Sequence, residues 1–512
     1  MIPTHGHAER GPRIAQAKAC SLWSTALKRS AFLGAGFSLF LAGPGAAQVP
    51  DRTKPPELGP PPALTLPPIA QHALSNGLKV LLLEKHQVPT VQINLVVRAG
   101  SAMDPEGKTG LASMTAAMLD EGAGQRSALE VADAADFLGA QLGVFSEQHI
   151  TTVSLHAPAA RLDSALAVMA DVALRPTFAA EELERQRRQR LTALAQQHDE
   201  PRIVGQVAFN RTLYGDGHPY GRRAGGVEQS VRSFTPDDLR QFHATWFRSN
   251  NAALIVVGDV RAETVLPRLE AAFGRRQWEA ATVPTPRWPE PAQVRRRAVL
   301  LVHKPGAAQT EVIIGRIGVP RSTRDYYALV VMNTVLGGSF TSRLNDNLRE
   351  AKGYTYGAGS SFAFDRLPGP FSARAAVHTG VTDTALIEFM KELRRIRERV
   401  PAEELERARN FVALRFPERF ETVASVARQV GELYTYDLPL DYYNDYTRRI
   451  LAVTVQDVQR VARQYVDPER VAIVLVGDRE KIEAGVRALK LGPVETMTVE
   501  QVLGPVPTVA AN

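Results

Sequence analysis

Apolar and polar residues follow the spacing of strands in several stretches of the first half of the chain. GLKVLLLEKH and TVQINLVVRAG carry apolar and β-branched residues in a strand pattern, and AALIVVGDV is a continuous apolar run. Such a run suits a strand buried on both faces of a sheet. Apolar residues at helical spacing predict helices over 128–139, 160–174, 180–197 and 235–247.

The second half repeats this mixture of strands and helices. AVLLVHK and EVIIGRIGVP predict two strands, followed by a helix near 324–336 and more strands near 354–379. AIVLVGD predicts a closing buried strand. Because strands and helices are mixed along both halves, the pattern predicts an α+β fold with helices packed on sheets.

The two halves also share a longer sequence pattern. FTPDDLRQFHATWF precedes NAALIVVGDV, and VTVQDVQRVARQYV precedes RVAIVLVGDR. Thr235 stands 23 residues before Gly258, and Thr454 stands 23 residues before Gly477. The two segments match without a gap, and they are too far apart in the chain for a solenoid repeat. The match therefore indicates a duplicated domain. We therefore expect two homologous α+β domains.

Proline-rich stretches set the expected domain boundaries, because such segments favour extended linkers. QVPDRTKPPELGPPPALTLPPI and VPTPRWPEPAQ are the two clearest examples. We expect a proline-rich linker over 48–69, an N-terminal domain over 70–280, a second linker over 281–297, a C-terminal domain over 298–492 and a tail over 493–512.

Residues 1–47 have the pattern of a secretory signal peptide. Lys28 and Arg29 precede a short apolar run, and the small residues Gly45 and Ala47 precede Gln48. The pattern predicts cleavage, export across the inner membrane and a periplasmic location; the alternative is an uncleaved N-terminal anchor. No later run is long and apolar enough to predict a membrane span in the mature chain.

Composition and charge narrow the possible functions. The 512 residues are 44% hydrophobic and 22% charged, as expected for a globular protein. The formal net charge is +7, but the leader contributes much of it, so we expect no nucleic-acid partner. The single cysteine, Cys20, lies in the leader, so the mature chain has no disulfide.

The order of several motifs resembles a known family. NGLKVLL, an RAGS turn, GLASMTAAMLDEG, an arginine-rich helix, HPYGRR and TPDDLRQFHATWFRSNNAALIVVGD follow one another as in the pitrilysin or insulinase-type zinc metallopeptidases, the inverzincins, and their processing-peptidase relatives. The resemblance covers roughly residues 70–490. It implies a metallopeptidase-like fold of two duplicated α+β domains.

The resemblance also shows what this chain lacks. The family's helix carries H-x-x-E-H, in which two histidines on one helix face hold zinc and the glutamate acts as general base. Ser113, Ala116 and Ala117 stand at these positions here, and Ala193 falls where the family's third ligand, a glutamate, is expected. Alanine cannot bind zinc, and one serine is a poor ligand.

The other histidines give little support for a different metal site. None of those after the leader is paired at i, i+4, and Glu147 with His149 lacks a third partner in the sequence. His218, in GDGHPYG, is expected to be a loop histidine bonded to the backbone. We therefore expect no zinc, and no catalytic residue, in this chain.

A segment of the second half keeps features that the resemblance assigns to substrate binding. VLGGSFTSRLNDNLREAKGYTYGAGSSF, residues 335–362, contains the glycine pair Gly337 and Gly338, and it places Tyr356 seven residues after Arg349. In two-chain relatives, the half without zinc supplies such an Arg/Tyr pair toward the substrate carbonyl. The alternative is that Arg349 forms surface ion pairs and Tyr356 packs in a strand.

Two basic positions have simpler expected roles. Arg343 is expected to form a structural ion pair on a helix face. The helix EELERQRRQRL is expected to be a solvated face with i, i+4 pairs such as Glu184 and Arg188, and the alternative is that it holds an acidic peptide.

Together, these observations predict a non-catalytic subunit of a pitrilysin-type peptidase. We expect a heterodimer with a zinc-bearing peptidase subunit of the same family, peptide as the substrate, and metalloendopeptidase activity in the complex only. The alternative is a structural or peptide-binding module with no role in proteolysis.

Overall fold

The computed structural model of the chain describes residues 66–508, so the predicted signal peptide and most of the first proline-rich linker lie outside the described residues. Within this range the strands form two six-stranded sheets. The first sheet contains β1 (Ala70–Ala73), β2 (Lys79–Glu84), β3 (Thr90–Val97), β4 (Gln141–Ser146), β5 (Thr151–Pro158) and β6 (Ala252–Gly258). The second contains β7 (Ala298–His303), β8 (Gln309–Ile317), β9 (Thr355–Phe362), β10 (Pro370–His378), β11 (Ala472–Gly477) and β12 (Val494–Thr498).

Helices lie between the strands in both halves. Those before the second sheet are α1 (Leu111–Ala117), α2 (Ala128–Phe137), α3 (Leu162–Leu174), α4 (Ala180–Gln196), α5 (Pro201–Tyr214), α6 (Glu228–Ser233), α7 (Pro236–Trp246) and α8 (Ala262–Phe273). The later ones are α9 (Tyr326–Asn333), α10 (Arg343–Asn345), α11 (Thr382–Arg395), α12 (Ala402–Arg415), α13 (Val423–Thr435), α14 (Tyr446–Leu451), α15 (Val455–Tyr465), α16 (Arg479–Ala488) and α17 (Val499–Leu503). Thr334–Gly338 and Asp346–Ala351 are π-helical turns.

The two sheets have matching topology, which confirms the α+β fold with an internal duplication. The strand order is β1-β2-β6-β3-β5-β4 in the first sheet and β12-β7-β11-β8-β10-β9 in the second. Five strands correspond in order, and only the sixth differs: β1 pairs antiparallel with β2, whereas β12 pairs parallel with β7. Both halves therefore form the same sheet from equivalent segments of the chain.

Each sheet is covered on one face by a helix from the other half of the chain. Helix α13 packs on β3 and β6 of the first sheet, and α5 packs on the equivalent strands β8 and β11 of the second. Alternate residues of β2 show this division, because Val80 and Leu82 pack with the first half's helices, whereas Leu81 and Leu83 join the core that contains α13. Burial on both faces explains the continuous apolar runs of the central strands.

The sequence pattern identified the central strands and five of the helices well, but it missed three strands at or near the edges of the sheets. Strands β4 and β5 were not predicted. The prediction of a loose tail from residue 493 is wrong, since β12 extends the second sheet and α17 buries Val502 and Leu503 against α5. A five-residue edge strand is too short for its periodicity to be recognised.

Equivalent capping boxes begin α7 and α15, the two helices in the segments that the sequence repeat aligns. Thr235 and Asp238 exchange side-chain and backbone hydrogen bonds, and Thr454 and Asp457 do the same. We expect Thr235→Ala and Thr454→Ala each to lower the free energy of unfolding by about 1 kcal/mol, because each leaves helix N–H groups unpaired. Urea unfolding measures this.

A matched control is available on the same helix. Thr245 donates its hydroxyl to Gln241 O within α7 and caps no free N–H group, so Thr245→Ala should change stability by less than about 0.5 kcal/mol. Equal effects at Thr235 and Thr245 would contradict the assignment of the cap.

Candidate functional site

Hydrogen bonds and close packing hold the start of helix α1 in place. Asp104 lies at its start, where its carboxylate accepts hydrogen bonds from Gly110 N at 2.6 Å and Ala112 N at 2.7 Å. Gly110 has φ 92°, and a Cβ there would lie 2.6 Å from Gly226 Cα, so this turn requires glycine. Burial raises the pKa of Asp104 to about 7. The helix is therefore firmly positioned although its chemical groups are gone.

The three motif positions of α1 offer almost no metal-binding chemistry. Ala116 is buried, whereas Ser113 and Ala117 are half-buried one turn apart on the same face. The hydroxyl of Ser113 is the one polar side-chain group among them. It accepts a hydrogen bond from Arg190 Nη1 at 3.0 Å.

Helix α4 lies beside α1, where the resemblance places the third ligand, but it contributes a cation. Ala193 is exposed and has no donor atom in its side chain, and Arg190 lies one turn before it. Arg190 Nη1 also donates to Gly225 O at 3.1 Å. Arg185 forms an ion pair with Glu121 just after α1. Arg185, Gln186 and Arg190 therefore connect α4 to α1 and to the segment that follows α1.

The basic face of α4 uses different pairs from the one predicted. Glu184 pairs with Arg187 at i, i+3, with 3.0 Å between Oε1 and Nη2, so the predicted i, i+4 pair with Arg188 is wrong. Arg187 also donates a hydrogen bond to Phe234 O at 2.7 Å. Arg188 remains on the exposed face of the helix.

The residues present at this site do not fit a catalytic zinc ion. Ser113 is the one side chain of the four positions with a donor atom, and a guanidinium is already bound to it. Structural and catalytic zinc sites need at least three protein ligands of imidazole, thiolate or carboxylate type. Among residues 66–508 no group of three or more His, Cys, Asp or Glu side chains could hold a metal ion.

The two histidines considered as alternatives have structural roles. His149 is buried, its Nε2 lies 2.6 Å from the hydroxyl of Tyr220, and its ring packs edge-on against Trp288. Burial lowers the pKa of His149 to about 4, so the imidazole is neutral at neutral pH. His218 Nδ1 accepts from Tyr220 N at 3.1 Å, which confirms a loop histidine bonded to the backbone.

The second predicted site region lies at the edge of the second sheet. Tyr356 is on the edge strand β9 and is 90% exposed. Arg349 lies in the π-helical turn Asp346–Ala351, where its Cζ is 4.5 Å from the ring centroid of Phe340 and its Nε is 3.5 Å from Glu350 Oε1. The structure shows no hydrogen bond between Arg349 and Tyr356. Both belong to the outer surface of this edge.

A buried asparagine joins the loop before Arg349 to the strand that carries Tyr356. Asn345 Nδ2 donates to Phe340 O at 2.7 Å, and Asn345 Oδ1 accepts from Ala358 N at 3.2 Å. The loop that carries Phe340 is therefore fixed to β9. Phe340 is 63% exposed and was missed by the sequence reasoning, although an aromatic residue two positions after the glycine pair could have indicated it.

The glycine pair is required by close packing. A Cβ on Gly337 would lie 2.3 Å from Ser360 N, and one on Gly338 would lie 2.8 Å from Asn333 Nδ2. Gly337 thus lets the π-helical turn approach β9. Gly338 leaves room for the side chain of Asn333, which donates to Ser360 O. Arg343 forms an ion pair with Glu404 at 2.7 Å, which places its partner on α12 rather than on its own helix.

A pair of carboxyl groups lies where the two halves meet. Burial, with the nearby charge of Glu147, raises the pKa of Asp365 to about 6. The folded state therefore binds a proton that the unfolded chain releases near pH 4, so this group's contribution to stability is lost as the pH rises from about 4 to 6. Asp365→Asn should stabilise the protein by about 1–2 kcal/mol at pH 8.

The stability gained from Asp365→Asn should vanish below about pH 4, where Asp365 is protonated in both the folded and the unfolded state. Thermal melting of both proteins at pH 8, 6 and 4 measures this. Asp133→Asn, at an exposed carboxyl group on α2, serves as the control. A gain from Asp365→Asn that is the same at every pH would contradict the assigned cause.

Two protein-family models match the sequence of this chain. The family model described as "Insulinase (Peptidase family M16)" matches residues 79–218, and the one described as "Peptidase M16 inactive domain" matches residues 233–412. Together they match more than half of the chain.

Individual relatives span nearly the same region. A protein of Helicobacter pylori named non-peptidase homolog YmxG is 24% identical over 420 residues, 80% of this chain and 94% of that protein. An uncharacterized zinc protease of Mycobacterium leprae is 28% identical over 312 residues, 61% of this chain and 70% of that protein.

A solved structure shares the fold. The peptidase M16 inactive domain from Pseudomonas fluorescens superposes with a TM-score of 0.74 at 27% identity, covering 80% of this chain and 98% of that one. Among the described residues no helix is long and apolar enough to span a bilayer. The chain therefore belongs to the insulinase family of peptidases, M16, as a member that lacks the family's zinc-binding motif.

Proposed function

We propose that this chain is the non-catalytic subunit of a two-chain M16 peptidase. A zinc-bearing subunit of the same family would be its partner, and the two would enclose a peptide between them. The observation that carries this proposal is the contrast between the two sites. Helix α1 keeps its support but has no ligands, whereas Tyr356 and Arg349 remain at an exposed edge.

The chemistry of these two residues suits the polarised carbonyl of a peptide. A guanidinium and a phenol both donate hydrogen bonds, and such donors stabilise the negative charge that develops on the carbonyl oxygen in the transition state. Water is excluded when the partner covers the surface, which strengthens the effect. Arg349 and Tyr356 are therefore proposed to complete the partner's active site.

Binding of the peptide itself can use the edge of the first sheet. Strand β4 is the last strand of that sheet, and within residues 66–508 no strand pairs with its outer main-chain groups. An extended peptide can add to such an edge through main-chain hydrogen bonds. Helix α1 contacts β4, so a bound peptide would run beside the former zinc site.

The proposed location follows from the leader at the start of the chain. Residues 1–47 carry the signal-peptide pattern, so we place the complex in the periplasm. Zinc is proposed to belong to the partner subunit alone.

The test is co-purification with an M16 subunit from the same organism that carries H-x-x-E-H, followed by peptide cleavage assays of each chain alone and of both together. We expect chelator-sensitive cleavage by the pair and none by this chain. Cleavage by the partner alone at the rate of the pair would contradict the proposal, and so would stoichiometric zinc in this chain.

One observation favours the alternative of a structural or peptide-binding module. Arg349 is already stacked on Phe340 and paired with Glu350, and packing alone explains Gly337 and Gly338. If a stable complex forms but peptide cleavage never depends on this chain, the alternative is correct.

A further inference from the structure

Among the half-buried arginines of α4, Arg190 differs from Arg185 and Arg187 in having no acidic partner among the described residues. Arg185 pairs with Glu121 and Glu182, and Arg187 pairs with Glu184. Within residues 66–508 no carboxylate forms an ion pair with Arg190, although burial is strong enough to lower its pKa. The guanidinium stays charged. A half-buried cation without a counter-charge is costly, which makes a specific role worth seeking.

Two hydrogen bonds fix the position of the Arg190 guanidinium. Its Nη1 donates to Ser113 Oγ and Gly225 O, and these bonds hold the guanidinium between α1 and α4. Ser113 stands at the first position of the lost zinc motif, and Arg190 lies one turn before Ala193 on α4. The side chain therefore places positive charge next to the residues that have lost their ligand groups.

Part of the guanidinium remains available. The two hydrogen bonds in the structure both use Nη1, whereas Nε and Nη2 have no partner among the described residues and are not sealed from solvent. These two nitrogens form one side of the planar fork that binds a carboxylate with two parallel hydrogen bonds. Because Nη1 is fixed, the orientation of this fork is fixed before any ligand binds.

We propose that the former zinc site has become a carboxylate site, in which Arg190 binds the C-terminal carboxylate of a peptide that lies along β4. This rests on the proposed function, because it assumes that peptide occupies the edge strand. It adds a specific requirement: the site prefers a free peptide end to an internal segment. Charge-assisted pairing at a preorganised guanidinium supplies that preference.

The test uses two fluorescein-labelled peptides of alternating threonine and valine, identical except that one ends in a carboxylate and the other in an amide. Fluorescence anisotropy with the full chain measures both affinities. We expect the carboxylate form to bind about 10-fold more tightly, as a charged hydrogen-bonded pair allows. Arg190→Ala should bring the ratio close to one, and Arg190→Lys should leave an intermediate ratio.

Arg188→Ala is the matched control, because Arg188 lies on the same helix with its side chain exposed. Arg188→Ala should leave the ratio of the affinities for the carboxylate and the amide peptide unchanged. Thermal melting shows whether each variant is folded, and the lysine variant keeps the charge if alanine loosens the contact between α1 and α4.

Several outcomes would overturn the inference. Equal affinity for the two peptides, a ratio that survives Arg190→Ala, or no binding of either peptide would each contradict it. Co-purification with the zinc-bearing partner is measured separately, so a failure here with the complex intact contradicts the carboxylate site alone. Loss of the complex in the unmodified chain would instead contradict the proposed function.

Discussion

Replacing Arg349 by alanine is expected to lower kcat of the assembled two-chain peptidase by about 10²–10³-fold with little change in KM. The reason is that a donor aimed at the developing oxyanion acts in the transition state more than in the ground state. Tyr356→Phe removes one hydroxyl from an exposed side chain and should cause a loss of similar or smaller size. Steady-state kinetics on the purified complex measures both constants.

Controls for this prediction lie in the same segment. Arg343→Lys keeps the ion pair with Glu404, and Tyr354→Phe changes a tyrosine two residues before Tyr356. Both should leave kcat within about twofold, because neither residue is proposed to touch the substrate. The double variant of Arg349 and Tyr356 should lose less than the product of the single effects if both donate to one oxygen. Full turnover by the double variant would rule out the composite site.

Restoring the zinc ligands alone is expected to fail to restore tight zinc binding. The variant with Ser113→His, Ala116→Glu, Ala117→His and Ala193→Glu has the family's complete set of ligands and general base. Arg190 loses its bond to Ser113 in this variant but is still held at the site by its hydrogen bond to Gly225 O. A guanidinium within a few ångströms of a divalent cation costs several kcal/mol even at an effective dielectric constant of about 20. We expect zinc affinity to rise at least 100-fold when Arg190→Ala is added, measured by calorimetry and metal analysis.

The same reconstructed chain with Arg188→Ala tests whether the effect belongs to the site or to net charge. It should bind zinc as weakly as the chain with both arginines, because Arg188 is on the exposed face of α4. Stoichiometric, tight zinc binding in the presence of Arg190 would contradict the expected repulsion. Failure in both backgrounds would show that ligand geometry, and not Arg190, excludes the metal.

Local signals in the sequence predicted much of the framework. The apolar runs of β2, β3, β6 and β11 identified buried strands. The spacing of 23 residues shared by Thr235 with Gly258 and by Thr454 with Gly477 identified the duplication. Both signals depend on residue types and their spacing along the chain, so they can be recognised without a structure. Strands β4, β5 and β12 were missed because their apolar pattern is weak or short.

The sequence predicted which zinc ligands are missing from the candidate site, but it did not predict which other side chains lie there. Alanine at 116, 117 and 193 has no donor atom wherever it is placed, so the absence of ligands could be stated from residue identity. Arg190 was missed because its meaning depends on Ser113, which is 77 residues away in the chain. Phe340 was missed for a similar reason, since its relation to Arg349 and β9 depends on packing.

By itself, then, the sequence determined the α+β character, the duplication, the leader pattern and the loss of the zinc ligands, since each depends on residue type or on short-range spacing. Tertiary structure alone decided that α5 packs on the second sheet and α13 on the first, that β12 pairs with β7, and that Arg190 contacts α1. These depend on which surfaces meet across long separations in the chain, where burial and hydrogen-bond partners are set by the whole fold.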